Sequence, residues 1–507
     1  MNRFLLCFVL IPIIQTAQPA FNYFKQSKTG IGVSATSQAT IFAKSYQFNY
    51  PIFTVLPDTA NKQLLVSVRQ HDPSGKSFTH KGYHMCLRSD DSIKSVFEDS
   101  KLEFEMLGDF LLMSSEVKTG RFNRKFGYEQ FEYPSRIIHI NPSNETGLSY
   151  NPLFKINNEV GLSAMTLNDG KVMWTSPVPS RSNWNDLVKV NDSLLVIAAS
   201  GLYCINVNSG LKWSFPMITA LKTDQPFVQP VFNLNTVKKL FKPVNTKAKE
   251  GLVTQLASNI LVSDGTIFFA ASDKIIASNS EGKLLWEQSL NGKGISNCLL
   301  IDHDQEILLL NLGLGELEGQ LVTYGKTFAA AFSKQYGSVI YEKDLSENGM
   351  LADAKFINAK LYFASRTKIM MAGEKDVRTV FQLSDTKYGK FIEFIDGDEY
   401  FVEKEGFYVP LNFINDKVVY FKSDQDKVYG LIDDKIEYVY HFTELYRKLG
   451  ETNGLKVISQ RDIGLIISKN MEVLGKLKCP EKAVGLNGKF YLYDGGMMHI
   501  IETKDLK

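Results

Sequence analysis

Short apolar runs broken by Asn, Asp, Gly and Ser recur along the chain, and one layout is written twice almost unchanged. VNDSLLVIAAS occupies residues 190–200 and VSDGTIFFAAS residues 262–272. GLYCINVNSGLKW (201–213) follows the first and DKIIASNSEGKLLW (273–286) the second. Each unit reads as a strand, a turn, a second strand, a glycine-containing turn and a third strand carrying Trp. β-branched and aromatic residues fit a pleated, half-buried surface, and Asn, Asp and Gly fit the tight turns between such strands.

The third turn recurs before Trp174 in AMTLNDGKVMW (164–174) and, degenerate, in AFSKQYGSVIY (331–341). Gly170, Gly210, Gly282 and Gly337 supply the residue that tolerates left-handed backbone, and Trp174, Trp213, Trp286 and Tyr341 follow three or four positions later. Three of the four tryptophans thus hold one repeat position, which predicts a packing wedge between successive repeats. Weaker echoes begin at 357, 414 and 486, and looser ones at 107, 301 and 395. Trp174 and Trp213 are 39 residues apart, the length of a four-stranded repeat that can bury its faces only against its neighbours. The reading is all-β: a single β-propeller of seven or eight four-stranded blades over residues 21–507. The strand-like run 39–56 is expected to pair with KFYLYD (489–494) and join the chain ends, removing open edges.

One departure stands out. Trp213 and Trp286 are 73 residues apart, and the surplus falls in an insertion over about 216–252. Within it, residues 225–251 carry Lys238, Lys239, Lys242, Lys247 and Lys249 against Glu250, with Phe241 among the lysines. Long loops in compact folds are functional or solvated insertions. The functional reading is docking on an acidic partner or on phospholipid headgroups.

Charge and composition narrow the classes. With 57 basic and 55 acidic residues the net charge is +2, so no global field exists to hold nucleic acid. Residues 1–20 place Arg3 before an apolar run from Phe4 to Ile14, too short to span a bilayer but matched to a secretory leader. A cleaved leader predicts a periplasmic or secreted protein without a transmembrane segment. Cys86, Cys204, Cys298 and Cys479 are spaced too widely for a stapled fold or a CxxC site, and Cys204 and Cys298 sit in apolar runs that read as buried thiols.

Candidate chemistry is sparse. His84 and Cys86 would share a strand face, with His80 nearby, but nothing adjacent completes a metal set. Asp302, Asp304 and Glu306, like Asp396 and Asp398, read as turn residues rather than a calcium loop. GLGELEG (313–319) lacks both the spacing and the following Lys-Ser/Thr of a phosphate loop. No catalytic, cofactor or metal residue is nominated.

AMTLNDGKVMW, CINVNSGLKW and ASNSEGKLLW resemble the AxDxxTGKxxW repeat of pyrroloquinoline-quinone-like β-propellers, most clearly over residues 160–290. Enzymatic members of that family hold a quinone and Ca2+ in the funnel and often carry adjacent cysteines or a CxxCH haem site, and this chain has neither sequence. The resemblance therefore implies the BamB-like, non-enzymatic branch: a cofactor-free, monomeric ring that binds an envelope protein. Two alternatives stay open: a carbohydrate or small-ligand binder using funnel aromatics, and a degenerate quinoprotein-type enzyme.

Overall fold

A computed structural model describes residues 23–506. Excepted are 224–250 and shorter stretches, the longer of them 98–102, 115–118, 124–127, 180–185, 373–376, 383–388, 393–398 and 412–418. The chain is all-β. Among the described residues its strands form nine four-stranded sheets and one of eleven strands, a set that does not by itself give the seven or eight blades expected. The sequence count rests on about eight strong, weak and loose hairpin echoes, and none of them falls in the sheet that begins at Ile52 or in the one that begins at Leu221. By internal packing the chain divides into two compact units. One comprises residues up to 100 with 449–457 and 462–507, the other 101–448 with 458–461.

The first unit is assembled from both chain ends. Strand Thr40–Phe48 runs antiparallel to Met497–Glu502, with Lys44 opposite Ile500 and Tyr46 opposite Met498. The expected partner, Lys489–Asp494, lies one strand further in, where Tyr491 also opposes Ile500. Each C-terminal strand carries four apolar residues, FYLY in the first and MM with II in the second. Pattern alone does not separate them; the turn at Gly495 (φ +52°) does, by folding the last strand back to the outside. The rest of the 39–56 run starts a second sheet as strand Ile52–Asp58. Tyr46, Val66, Val68, Met85, Tyr491 and Met498 make the core beneath this seam. Asp91 sits at 3.2 Å from Lys44 Nζ and 3.3 Å from Lys489 Nζ, and Ser45 Oγ lies 2.7 Å from His499 Nδ1.

The second unit contains the clear repeats. Strand Leu194–Ala198 is buried at every residue and Thr266–Ala270 at all but the first, since a central strand is covered on both faces. That is why the repeated phrase is apolar without alternation. Phe268, Ala277, Trp286, Ile307, Leu309 and Phe332 form one inter-sheet core, and Val196, Phe269 and Ile276 belong to the next. The echo starting at 395 is not a repeat start. Strand Tyr400–Lys404 forms a hairpin with Phe407–Pro410, inserted between two strands of another sheet, Gly389–Ile392 and Val419–Ser423.

Candidate partner-binding site

Four sheets of the second unit define the frame. They carry Trp174, Trp213, Trp286 and Tyr341 on their last strands: Val172–Ser176, Gly210–Pro216, Leu284–Ser289 and Val339–Asp344. The Trp174 indole N–H donates to Val207 O at 3.0 Å, Trp213 to Ser280 O at 3.1 Å and Trp286 to Lys334 O at 2.8 Å. Each acceptor lies in the last turn of the following sheet. The glycine of that turn lies under the indole: a Cβ on Gly282 would meet the Trp213 ring at 2.5 Å, one on Gly337 the Trp286 ring at 2.4 Å, and one on Gly210 the Trp174 ring at 3.3 Å. Positive φ at Gly210, Gly282 and Gly337 adds a second reason for glycine. The order Trp174, Gly210–Trp213, Gly282–Trp286, Gly337–Tyr341 is a run of locks binding consecutive sheets. Gly170 has the same left-handed backbone (φ +71°) at its own turn. Tyr341 closes the run with a partly exposed ring. Lys212 and Glu281, 2.7 Å apart, brace the Trp213 lock.

The opposite end of these sheets is where the repeat is broken. A four-stranded antiparallel meander places its first and third turns at one end, and its second turn and its exit at the other. The long insertion leaves at the exit of the Trp213 sheet and contributes strands Leu221–Thr223 and Gly251–Thr254. A second insertion leaves at the middle turn of the Tyr341 sheet and contributes Leu314–Leu317 and Gln320–Thr323. The two hairpins emerge at the same end and join in that order as an extra four-stranded sheet, an annex. Val253 opposes both Leu221 and Leu317, which seals the two hairpins together. Leu314–Leu317 of GLGELEG is thus a strand of the annex. Sequence reasoning rejected it as a phosphate loop and missed that it is the partner of the long insertion; its lack of a repeat counterpart was the available signal.

The annex root is fixed by a buried carboxamide. Asn311 Oδ1 accepts from Ser296 N and Ser296 Oγ, both at 2.8 Å, while Nδ2 donates to Gly294 O at 3.2 Å and to Lys326 O at 2.6 Å. Asn259 ties the neighbouring chain in the same way, accepting from Leu300 N at 2.7 Å and donating to Leu300 O at 3.1 Å. Within the annex, Gln255 Nε2 donates to the Glu316 carboxylate and Thr254 Oγ1 to Glu316 O at 3.3 Å. Leu252 is 49% exposed on the outer side, and Ile218, in the connection leading to the annex, is 44% exposed.

Thr223 opposes Gly251 at the distal end, so the chain leaves for and returns from residues 224–250 there. Lys238, Lys239, Phe241, Lys242, Lys247 and Lys249 lie outside the described residues, as do residues 1–20, where a leader is expected, and Cys479, Asp396 and Asp398.

The remaining candidates resolve into local roles. His84 Nδ1 lies 2.7 Å from Ser67 Oγ across two paired strands. Cys86, Cys204 and Cys298 are buried, and burial pushes the Cys204 thiol up to about 11. Asp302 pairs with Lys334, and Asp304 takes a positive φ in the hairpin turn. Among the described residues no three His, Cys, Asp or Glu side chains converge as a metal set, and no helix is long and apolar enough to cross a membrane.

No family model matches the chain, and no curated protein matches it. Solved structures that resemble it include BamB from Moraxella catarrhalis, at 8% identity over 85% of this chain and 98% of that one, with a TM-score of 0.33. A eukaryotic initiation factor matches at 8% identity over 72% and 97%, with a TM-score of 0.35. The computationally designed Ika8 protein matches at 9% identity over 74% and 95%, with a TM-score of 0.34. At these scores the function has to come from the chain's own residues.

Proposed function

We propose that this chain is a non-enzymatic, exported scaffold of the cell envelope, periplasmic or secreted, whose four-stranded sheets are propeller blades and which binds a protein partner at the annex. The observation that carries the reading is the convergence of two insertions, from separate repeats, on one extra sheet at one end of the frame. A repeat fold does not need that sheet: the locked sheets already bury their faces against each other. Leu314 anchors the annex in the core of Leu308, Leu310 and Phe363, and the outer surface that this packing leaves uncovered is read as the binding surface.

The exposed Leu252 gives the annex an apolar contact. The lysines of 225–251, joined to its first two strands, give it a positive arm for an acidic partner. The full chain, tagged after its leader and crosslinked in native envelopes, should recover a stoichiometric protein. Reversing Lys238, Lys239 and Lys242 to Glu should abolish recovery and leave the thermal transition unchanged; recovery that survives reversal removes the basic segment from the site.

A further inference from the structure

Two Asn-x-Ser/Thr triplets with a middle residue other than proline occur in the chain, Asn144-Glu145-Thr146 and Asn191-Asp192-Ser193. Both fall at the same place in consecutive sheets: the turn between the first two strands. Asn144 lies between Ile137–Asn141 and Thr146–Ile156, and Asn191 between Asp186–Lys189 and Leu194–Ala198. Both asparagines are exposed. At Asn191 the side-chain oxygen accepts from Ser193 N at 2.9 Å, Ser193 Oγ at 3.0 Å and Leu194 N at 3.0 Å. The triplet's hydroxyl is therefore turned onto the carboxamide oxygen, and Nδ2 faces solvent. At Asn144 the amide instead donates to Asn208 Oδ1 in the next sheet.

We infer that Asn191 is an N-glycosylation site, with Asn144 a second, and that the chain is exported through a compartment holding an oligosaccharyl transferase. The inference rests on the secreted arm of the export reading and specifies its route. The donor is a lipid-diphosphate-linked oligosaccharide. Nδ2 of Asn191 forms the bond to the sugar C1, the bond from C1 to the diphosphate oxygen breaks, Nδ2 gives up one proton and the lipid diphosphate leaves. Nothing is oxidised or reduced.

Placement makes the modification compatible with the annex. First turns lie at the locked end of the sheets, beside the third turns that hold Gly210 and Gly282, whereas the annex grows from the other end. Glycans at Asn191 and Asn144 cover the locks and leave the annex open. The sugar on Asn144 still leaves one N–H for Asn208.

The test translates the full chain with its leader in the presence of endoplasmic-reticulum membranes and reads two things on one sample: protection from added protease, and mobility before and after a glycosidase that converts the carrier Asn to Asp. The expected result is a protected chain with one mobility step per occupied triplet. Asn191→Gln and Ser193→Ala should each remove one step, and Ser193→Thr should keep it. A protected chain that carries no sugar at Asn191 overturns the site while sparing export. A chain that stays protease-sensitive overturns both, and the protection assay tells the two failures apart.

Discussion

The two ends of the repeat sheets in the second unit are built on opposite principles. At the locked end each Trp donates to the next turn and presses on its glycine, so one rule is written three times. At the annex end nothing repeats: two insertions of different origin meet once, over an Asn311 carboxamide whose oxygen and nitrogen are both engaged. Repetition holds the frame together, and its interruption makes a surface that the frame does not require. Stability and recognition should therefore separate by end, and substitutions can be chosen to break that separation.

The largest effect is expected at a lock. Trp286 is 8% exposed and packs within the core of Phe268, Ile307 and Phe332. Trp286→Ala should cost about 3–5 kcal/mol, the usual range for emptying an aromatic site. Denaturant unfolding checks the loss. Partner recovery well below the transition should be unchanged. A loss under about 1 kcal/mol, far short of the aromatic range, would mean the locks are ornament.

Next comes the annex root. Asn311→Ala leaves the Gly294 and Lys326 carbonyls and the Ser296 amide short of partners, at about 1–3 kcal/mol for each group that water cannot reach. The damage should be local. Amide exchange should quicken in Gly251–Thr254 and Leu314–Leu317 and stay slow in Thr266–Ala270, and partner recovery should fall. Equal quickening in all three strands would show that frame and annex are one cooperative body.

These two predictions also mark what the sequence could and could not say. Gly210, Gly282 and Gly337 with their preceding-sheet tryptophans were legible because the same spacing recurs, and recurrence is visible without an alignment. The annex was half legible: the 73-residue gap announced an insertion, but its pairing with 314–317 depends on two connections emerging at the same sheet end, a three-dimensional fact. Strand choice at the seam of the first unit failed for a related reason. Lys489–Asp494 and Met497–Glu502 both present a face to Thr40–Phe48, and only the turn between them decides which one meets it. The count of sheets was not legible where the Trp and Gly of the repeat are absent and the rhythm alone is present.

A smaller effect isolates one lock bond. Trp174→Phe keeps most of the ring and removes the donor to Val207 O. The expected cost is about 1 kcal/mol, the net worth of one hydrogen bond, read as a shift in the denaturant midpoint. Together with Trp286→Ala it divides the lock into its packing part and its polar part.

The smallest effect is a proton. His139 lies on strand Ile137–Asn141, which leads into the locked end, and burial holds its imidazole below the ordinary value, with the Lys189 charge pushing the same way. Because the folded form disfavours the proton, the unfolded chain takes it up first as the pH falls. Its contribution to stability is therefore complete above about pH 6.5, the unfolded value, and is lost as the pH falls below that, towards the depressed folded value. Asn311, which anchors the other end, does not titrate. Between pH 7.5 and 5.5, amide protection relative to the intrinsic exchange rate should fall in Ile137–Asn141 and hold steady in Leu314–Leu317, and His139→Gln should remove the fall. Acid loosening that persists in the variant would transfer the effect to another group and leave the two ends alike in their response to pH.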